Sequence, residues 1–157
     1  MKIMEIIPSN SFDEGISNPA LTKEGVKTYR FRVCYEDVDA AGIVYHARYF
    51  GIADRARTES IRRLGGTISD LYKDFGLVLV VREAEIKFRK PLYIDELVIV
   101  KTNIITTLGA SCWLSQVFFR NEEIVTELKI QLVCLKKETY MPAPFPADWK
   151  RIFAAMM

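Results

Sequence analysis

From Thr28 onward apolar and polar residues alternate strictly: Tyr29, Phe31, Val33 and Tyr35 point one way, and Arg30, Arg32, Cys34 and Glu36 the other. A period of two over this length predicts a half-buried strand that ends in an acidic loop carrying Asp37 and Asp39. The period then changes. Phe50, Ala53, Ala56 or Arg57, Ser60 or Ile61, and Leu64 recur at helical spacing, while Arg48, Asp54, Arg55, Glu59, Arg62 and Arg63 cover much of the remaining surface. These positions predict a long amphipathic helix that opens near His46 and stops at Gly65-Gly66. Along it, Arg55 with Glu59 and Glu59 with Arg63 stand at the spacing where opposite charges pair for about 0.3 kcal/mol each. Thr67 to Phe75 predicts a second short helix closed by Gly76.

Four strand-like runs follow, over Leu77–Arg89, Leu97–Ile105, Cys112–Arg120 and Ile124–Leu135, separated by turn-like segments. In the last run Ile124, Thr126, Leu128, Ile130, Leu132 and Cys134 share one face. Such lengths and tight turns suit an antiparallel sheet. Pro142, Pro144 and Pro146 break the pattern, and Ala147 to Ala155 predicts a terminal helix anchored by Trp149, Ile152 and Phe153. One strand, one long helix and four strands make an α+β layout. Residues 1–27 hold Pro8, Gly15, Pro19 and Gly25 among polar residues without periodicity, and read as an N-terminal arm before a single domain over residues 28–157.

Composition narrows the function classes. The chain of 157 residues can bury one core without disulfides, and 22 basic against 20 acidic side chains leave a net charge of +2, which gives no reason to expect nucleic acid. Cys34, Cys112 and Cys134 are odd in number, show no CxxC spacing and fall in predicted strands, so they read as reduced thiols of a cytoplasmic protein. One histidine and no cysteine pair cannot supply the usual zinc ligand sets, so no metal is expected. The apolar patch Ile3–Ile7 is too short for a signal peptide, and no run approaches the ~20 apolar residues that span a bilayer.

Candidate chemistry concentrates between Tyr35 and Tyr49. Ala40, Ala41 and Gly42 permit close approach of a ligand or a second backbone. No Ser, Thr, Asp or Asn stands immediately before the long helix, so its first-turn N–H groups lack a side-chain cap and are open to a ligand oxygen. From the residues alone Asp39 reads either as a reactive carboxylate or as a loop acid capping nearby amides. His46 reads as a packed or hydrogen-bonding residue as readily as a proton carrier. Tyr45 and Tyr49 fit a core, an interface or a pocket lining, and Arg55, Arg57 and Glu59 fit a solvated or interface ion-pair network.

The run Tyr35-Glu36-Asp37-Val38-Asp39-Ala40-Ala41-Gly42-Ile43-Val44-Tyr45-His46-Ala47-Arg48-Tyr49, followed by Asp54-Arg55-Ala56-Arg57-Thr58-Glu59, resembles the signature of the YbgC and 4-hydroxybenzoyl-CoA thioesterase branch of the hot-dog-fold proteins. That resemblance covers about residues 28–150 and implies an antiparallel sheet of about five strands wrapped around a long central helix. It implies hydrolysis of an acyl thioester of CoA or acyl carrier protein, with CoA belonging to the substrate and no separate cofactor. Asp39 matches the family's catalytic aspartate, as general base or nucleophile, and the backbone N–H near His46 matches the group that polarises the thioester carbonyl. The His46 side chain then orients substrate or water, Gly42, Tyr45 and Tyr49 contact substrate, and Glu59 is the second carboxylate to consider. Asp37 takes a structural role. The resemblance also implies sites formed where two subunits meet, in homodimers or homotetramers. Dehydratase or hydratase chemistry on acyl thioesters, and non-catalytic acyl-thioester binding, are the competing readings. One departure stands out: related enzymes often carry Arg or Lys before the Ser-x-x-x-x-Gln strand, where CoA phosphates lie, and this chain has Leu108-Gly109-Ala110 before Ser111 and Gln116.

Overall fold

The computed structural model describes residues 23–157, so most of the arm expected over residues 1–27 lies outside the described residues. A short helix α1 (Lys23–Val26) leads into strand β1 (Thr28–Arg32). Helices α2 (Arg48–Arg63) and α3 (Ile68–Phe75) follow, then strands β2 (Leu77–Phe88), β3 (Leu97–Leu108), β4 (Ser111–Arg120) and β5 (Glu123–Lys136), and the terminal helix α4 (Ala147–Ala155). Between α1 and β1, Lys27 is already buried, donating from Nζ to Asn103 Oδ1 at 2.7 Å and accepting the Thr102 N–H on its carbonyl.

The strands form one antiparallel sheet in the order β1-β3-β4-β5-β2, giving the α+β architecture expected. Alternation assigns Val98, Val100, Thr102 and Ile104 of β3, Cys112, Leu114, Gln116 and Phe118 of β4, and Leu128, Ile130, Leu132 and Cys134 of β5 to the buried face. Helix α2 supplies Tyr49, Ile52, Ala53, Ala56, Ser60 and Ile61 to the same core. Ala53 and Ala56 are fully buried, and so small a contact stripe lets the helix axis sit close to the sheet. Helix α3 begins where Thr67 accepts the Asp70 N–H and ends at Gly76, whose φ of +63° is the left-handed turn that glycine supplies there. Helix α4 buries Trp149, Ile152 and Phe153 as expected.

Four details differ from the sequence reading. Strand β1 stops at Arg32, because Tyr35–Asp37 curls into a 3-10 turn closed by the Asp37 carboxylate on the Cys34 N–H, and Tyr35 is left 85% exposed instead of facing the core. The buried stripe of α2 runs through Tyr49 and Ile52, leaving Phe50 on the outside. Ile124 turns outward because the pairing of Phe118 with Thr126 and of Phe119 with Ile124 leaves Val125 as an extra residue, and one extra residue reverses the faces of those before it. Charges on α2 pair three apart, Asp54 with Arg57 and Glu59 with Arg62, while Arg63 donates to the carbonyls of Gly25 and Thr28.

Candidate active site

The acidic loop is a tight hairpin. The Gly42 N–H donates to the Asp39 carbonyl and the Asp39 N–H to the Ile43 carbonyl, both at 2.9 Å, while Val38 and Val44 bridge across the base. Closing this turn requires the left-handed backbone at Gly42, φ +77°, which explains the glycine without a ligand. The Asp39 carboxylate accepts the Ala41 N–H at 2.8 Å through Oδ1, so one oxygen is oriented by the loop and the side chain remains exposed. Two groups anchor the loop from below: Val44 N–H donates to the Leu92 carbonyl, and Ile43 bridges to Tyr93.

Asp37 does different work two residues earlier. It is 6% exposed, accepts the Cys34 N–H on Oδ2 and takes Nε and Nη2 of Arg48 on Oδ1 at 3.1 and 2.8 Å. That bond and charge raise the Arg48 guanidinium above its ordinary pKa. The first residue of α2 is thereby tied to the loop, and the Tyr45 N–H adds a bond to the Asp37 carbonyl. Helix α2 starts at Arg48, two residues after His46, and Ala47 at its cap position provides no side-chain acceptor.

Asp39 and His46 line one cleft of about 420 Å³ together with Ile43, Val44, Tyr49 and Phe88, and residues 89–91 close its far side. The leading end of α2 opens into this cleft, since His46 precedes the helix and Tyr49 lies in its first turn. Tyr49 packs edge-on against Phe88 and Phe118, and burial pushes its phenol above the ordinary value. The opposite wall is fixed by the bulge in β5: the extra residue, Val125, accepts the N–H groups of both Arg89 and Lys90 on its carbonyl.

The structure therefore brings together Asp39, His46 and Tyr49 from the sequence-derived candidates. Gly42 and Tyr45 stand outside the cleft lining; Tyr45 rests its ring 4.4 Å from that of His46. Glu59 lies near the other end of α2, about 16 Å along the axis from Arg48 at ~1.5 Å per residue, and pairs with Arg62. Arg57 is not part of a solvated network. It is 8% exposed, donates to Gln116 Oε1 and Asp54 Oδ1, and burial lowers its pKa. The residues missed by sequence reasoning are Phe88 and Pro91; with the basic pair Arg89-Lys90, which the sequence shows as charges flanking a strand, they reach the cleft through the pairing of β2 with β5. Thr126, paired with Phe88 across the strands, is fully buried and its side chain meets the Tyr49 phenol, opposing part of the upward shift that burial gives it. Among the described residues no three His, Cys, Asp or Glu side chains come together as a metal site.

Comparison with known proteins gives one direction. The model of the thioesterase-like superfamily matches residues 33–153. Acyl-CoA thioesterase YbgC of Haemophilus influenzae is 33% identical over 126 residues, covering 80% of this chain and 93% of that protein. Acyl-CoA thioester hydrolase YbgC of an Escherichia coli O6:H1 strain is 31% identical over 116 residues, covering 73% and 86%. The crystal structure of a probable thioesterase from Bartonella henselae superposes with a TM-score of 0.73 at 32% identity, covering 76% of this chain and 98% of the other.

Proposed function

We propose the following reading from one premise, that the chain belongs to the thioesterase-like superfamily: it is a hot-dog-fold acyl-CoA thioesterase that converts an acyl-CoA and water to a free acid and CoA. The observation that carries the assignment to a site is the cleft shared by Asp39, His46 and the leading end of α2. The Arg48 N–H is given to the Tyr45 carbonyl, so a thioester carbonyl seated there would place its oxygen against the other backbone amides around the start of α2, which stabilise the negative charge that develops as the carbonyl carbon becomes tetrahedral. Asp39 takes a proton from the attacking water as its oxygen bonds to that carbon. The C–S bond then breaks, the electron pair leaves with sulfur, and the thiolate takes up a proton. His46 on the cleft wall orients water or substrate, and Tyr49 with Phe88 forms the apolar end that receives the acyl group.

Two further parts of the reading rest on the same fold. Strand β2 is a sheet edge whose outer side is unpaired among the described residues, and Val80 and Val81 on it are 36% and 50% exposed. An edge of this length and apolarity favours pairing with a second copy, so the functional unit is a homodimer built on β2, able to pair further into a tetramer. Free thiols at all three cysteines favour a cytoplasmic setting, and among the described residues no helix is long and apolar enough to cross a membrane.

Thiol release from a panel of short, branched, aromatic and long acyl-CoAs tests the proposal. Asp39→Asn should lower turnover by about 10²–10⁴-fold with the melting temperature unchanged. Full activity in that variant removes Asp39 from the mechanism, and no release by the native protein from any acyl-CoA removes the hydrolase.

A further inference from the structure

The connection from β2 to β3, residues 89–96, meets the Asp39 cleft twice. Arg89, Lys90 and Pro91 form the far wall, and the next two residues carry the Asp39 hairpin, because the Val44 N–H donates to the Leu92 carbonyl and Tyr93 bridges to Ile43. Ile43 in turn accepts the Asp39 N–H on its carbonyl at 2.9 Å. Wall and hairpin therefore rest on one short run of backbone, and a group that fixes this run fixes the gap between them.

One side chain reaches along the whole of it. Arg120 ends β4, and its Nη1 meets the Pro91 carbonyl at 3.2 Å and the two Glu96 carboxylate oxygens at 3.1 and 3.2 Å, while Nη2 donates to Glu123 Oε2 at 2.7 Å. Both acids extend the hold. Glu96 Oε2 accepts the Tyr93 N–H at 2.9 Å, and Glu123 Oε1 is ion-paired with Lys90. Lys90, Glu123, Arg120 and Glu96 thus alternate in sign, and the contact of Arg120 with Glu96 is partly buried, where ion pairs are screened less than on open surface. Glu123 and Glu96 raise the Arg120 guanidinium above its ordinary pKa, and Lys90 with Arg120 holds the Glu123 carboxyl below its own. A planar guanidinium with five N–H donors can serve a carbonyl and two carboxylates together, which the single ammonium of a lysine cannot.

We propose that Arg120 is a positioning residue for the hydrolysis: from outside the cleft it sets the gap between the wall at residues 89–91 and the hairpin that aims Asp39. The inference rests on the thioesterase reading above. Without the side chain, the connection stays fastened toward its ends, by the Val125 carbonyl on the Arg89 and Lys90 amides and by the Asp95 N–H on the Val33 carbonyl. Its middle, residues 91–93, loses the direct bond to Pro91 and the brace on Glu96 that steadies Tyr93. Both sides of the cleft depend on that middle. The aim of the carboxylate suffers more than substrate binding, because a displacement of about 1 Å between reacting groups costs up to ~10²-fold in rate.

Hydrogen exchange on the ligand-free protein tests the hold, and steady-state kinetics test its use. In Arg120→Met the Tyr93 and Val44 amides should exchange at least about tenfold faster, while amides in the pairing of β3 with β4 keep their native protection. On the acyl-CoA that the native protein cleaves best, kcat should fall about tenfold and KM should change less than about twofold, at a temperature where both proteins are fully folded. Arg120→Lys keeps the charge without the fork and should move both readings the same way by a smaller factor; it carries the test alone if the methionine variant does not fold. Native exchange at both amides, a native kcat, or a loss confined to KM overturns the proposal. A native protein that releases no thiol removes the hydrolase instead, and the exchange result is read independently of it.

Discussion

Arg48 Nη2 stands 2.8 Å from Asp37 Oδ1, so the first residue of α2 is fastened to a carboxylate that also caps the 3-10 turn before the loop. Asp37 is buried and Arg48 is more than a third exposed, so desolvation falls mainly on the acid. Replacing Asp37 with Asn keeps the shape and removes the charge. The variant should lose about 1–3 kcal/mol in urea unfolding, and turnover should fall because the helix start and the Asp39 loop lose their common anchor. A stability equal to that of the native protein would show that the ion pair does not hold the loop.

Gly42 makes a separate demand. Its φ of +77° closes the hairpin that carries Asp39, although a Cβ there would meet no atom within 4 Å. Gly42→Ala should therefore cost about 1–2 kcal/mol through backbone strain alone, and should lower kcat more than it raises KM, because the strain falls on the loop that aims the carboxylate. A melting curve and a substrate titration on the same sample separate the two effects.

Gln116 fastens the other side of α2. Its amide donates to the Ala53 carbonyl at 2.7 Å and to Thr102 Oγ1 at 3.0 Å, and accepts from Arg57 Nη1 at 3.1 Å, all within the core. Gln116→Leu leaves a buried guanidinium short of one acceptor and a helix carbonyl short of one donor. The expected loss is about 3–5 kcal/mol, larger than for a typical core substitution, measured as the shift in urea midpoint at constant m-value.

The cysteines should separate by reactivity. Burial pushes the Cys112 thiol up to about 12 and that of Cys134 up to about 11, so at pH 8 both remain protonated, and only the thiolate attacks an alkylating agent. Cys34 is exposed. One equivalent of iodoacetamide should be taken up by the folded protein at pH 8, on Cys34, and the other two only in denaturant. Mass spectrometry of the peptides reads this directly.

Much of this layout was legible because local pattern and long-range packing agree. The runs of β3, β4 and β5 show period two and the core uses that same face, and Thr67 and Gly76 mark the ends of α3 as a cap and a left-handed stop. The misreadings arise where a specific contact, near in the chain or far from it, overrides the local period. Tyr35 continues the alternation of β1, yet the Asp37 carboxylate draws the backbone out of the sheet. Ile124 keeps the parity of Thr126 but is turned over by one extra residue, visible only once β4 is paired. Arg57 sits in a charged stretch and pairs with Asp54 there, but its buried acceptor is Gln116, 59 residues away on a strand. In the cleft, Asp39 and His46 could be picked out because they lie in one continuous motif, whereas Phe88 and its neighbours belong to the edge strand and are brought there by the register of β2 on β5.

The single carbonyl of Val125 supports two consecutive amides, those of Arg89 and Lys90. Once that peptide plane tilts, both backbone hooks let go at once, and the mouth around Asp39 is left to the side-chain ties of Arg89 to Glu127, Lys90 to Glu123 and Arg120 to the Pro91 carbonyl while the packing under α2 is still tight. Warming would then blunt catalysis several degrees before the molecule melts, and the sheet's one irregular residue near the cleft would set the upper working temperature of the enzyme.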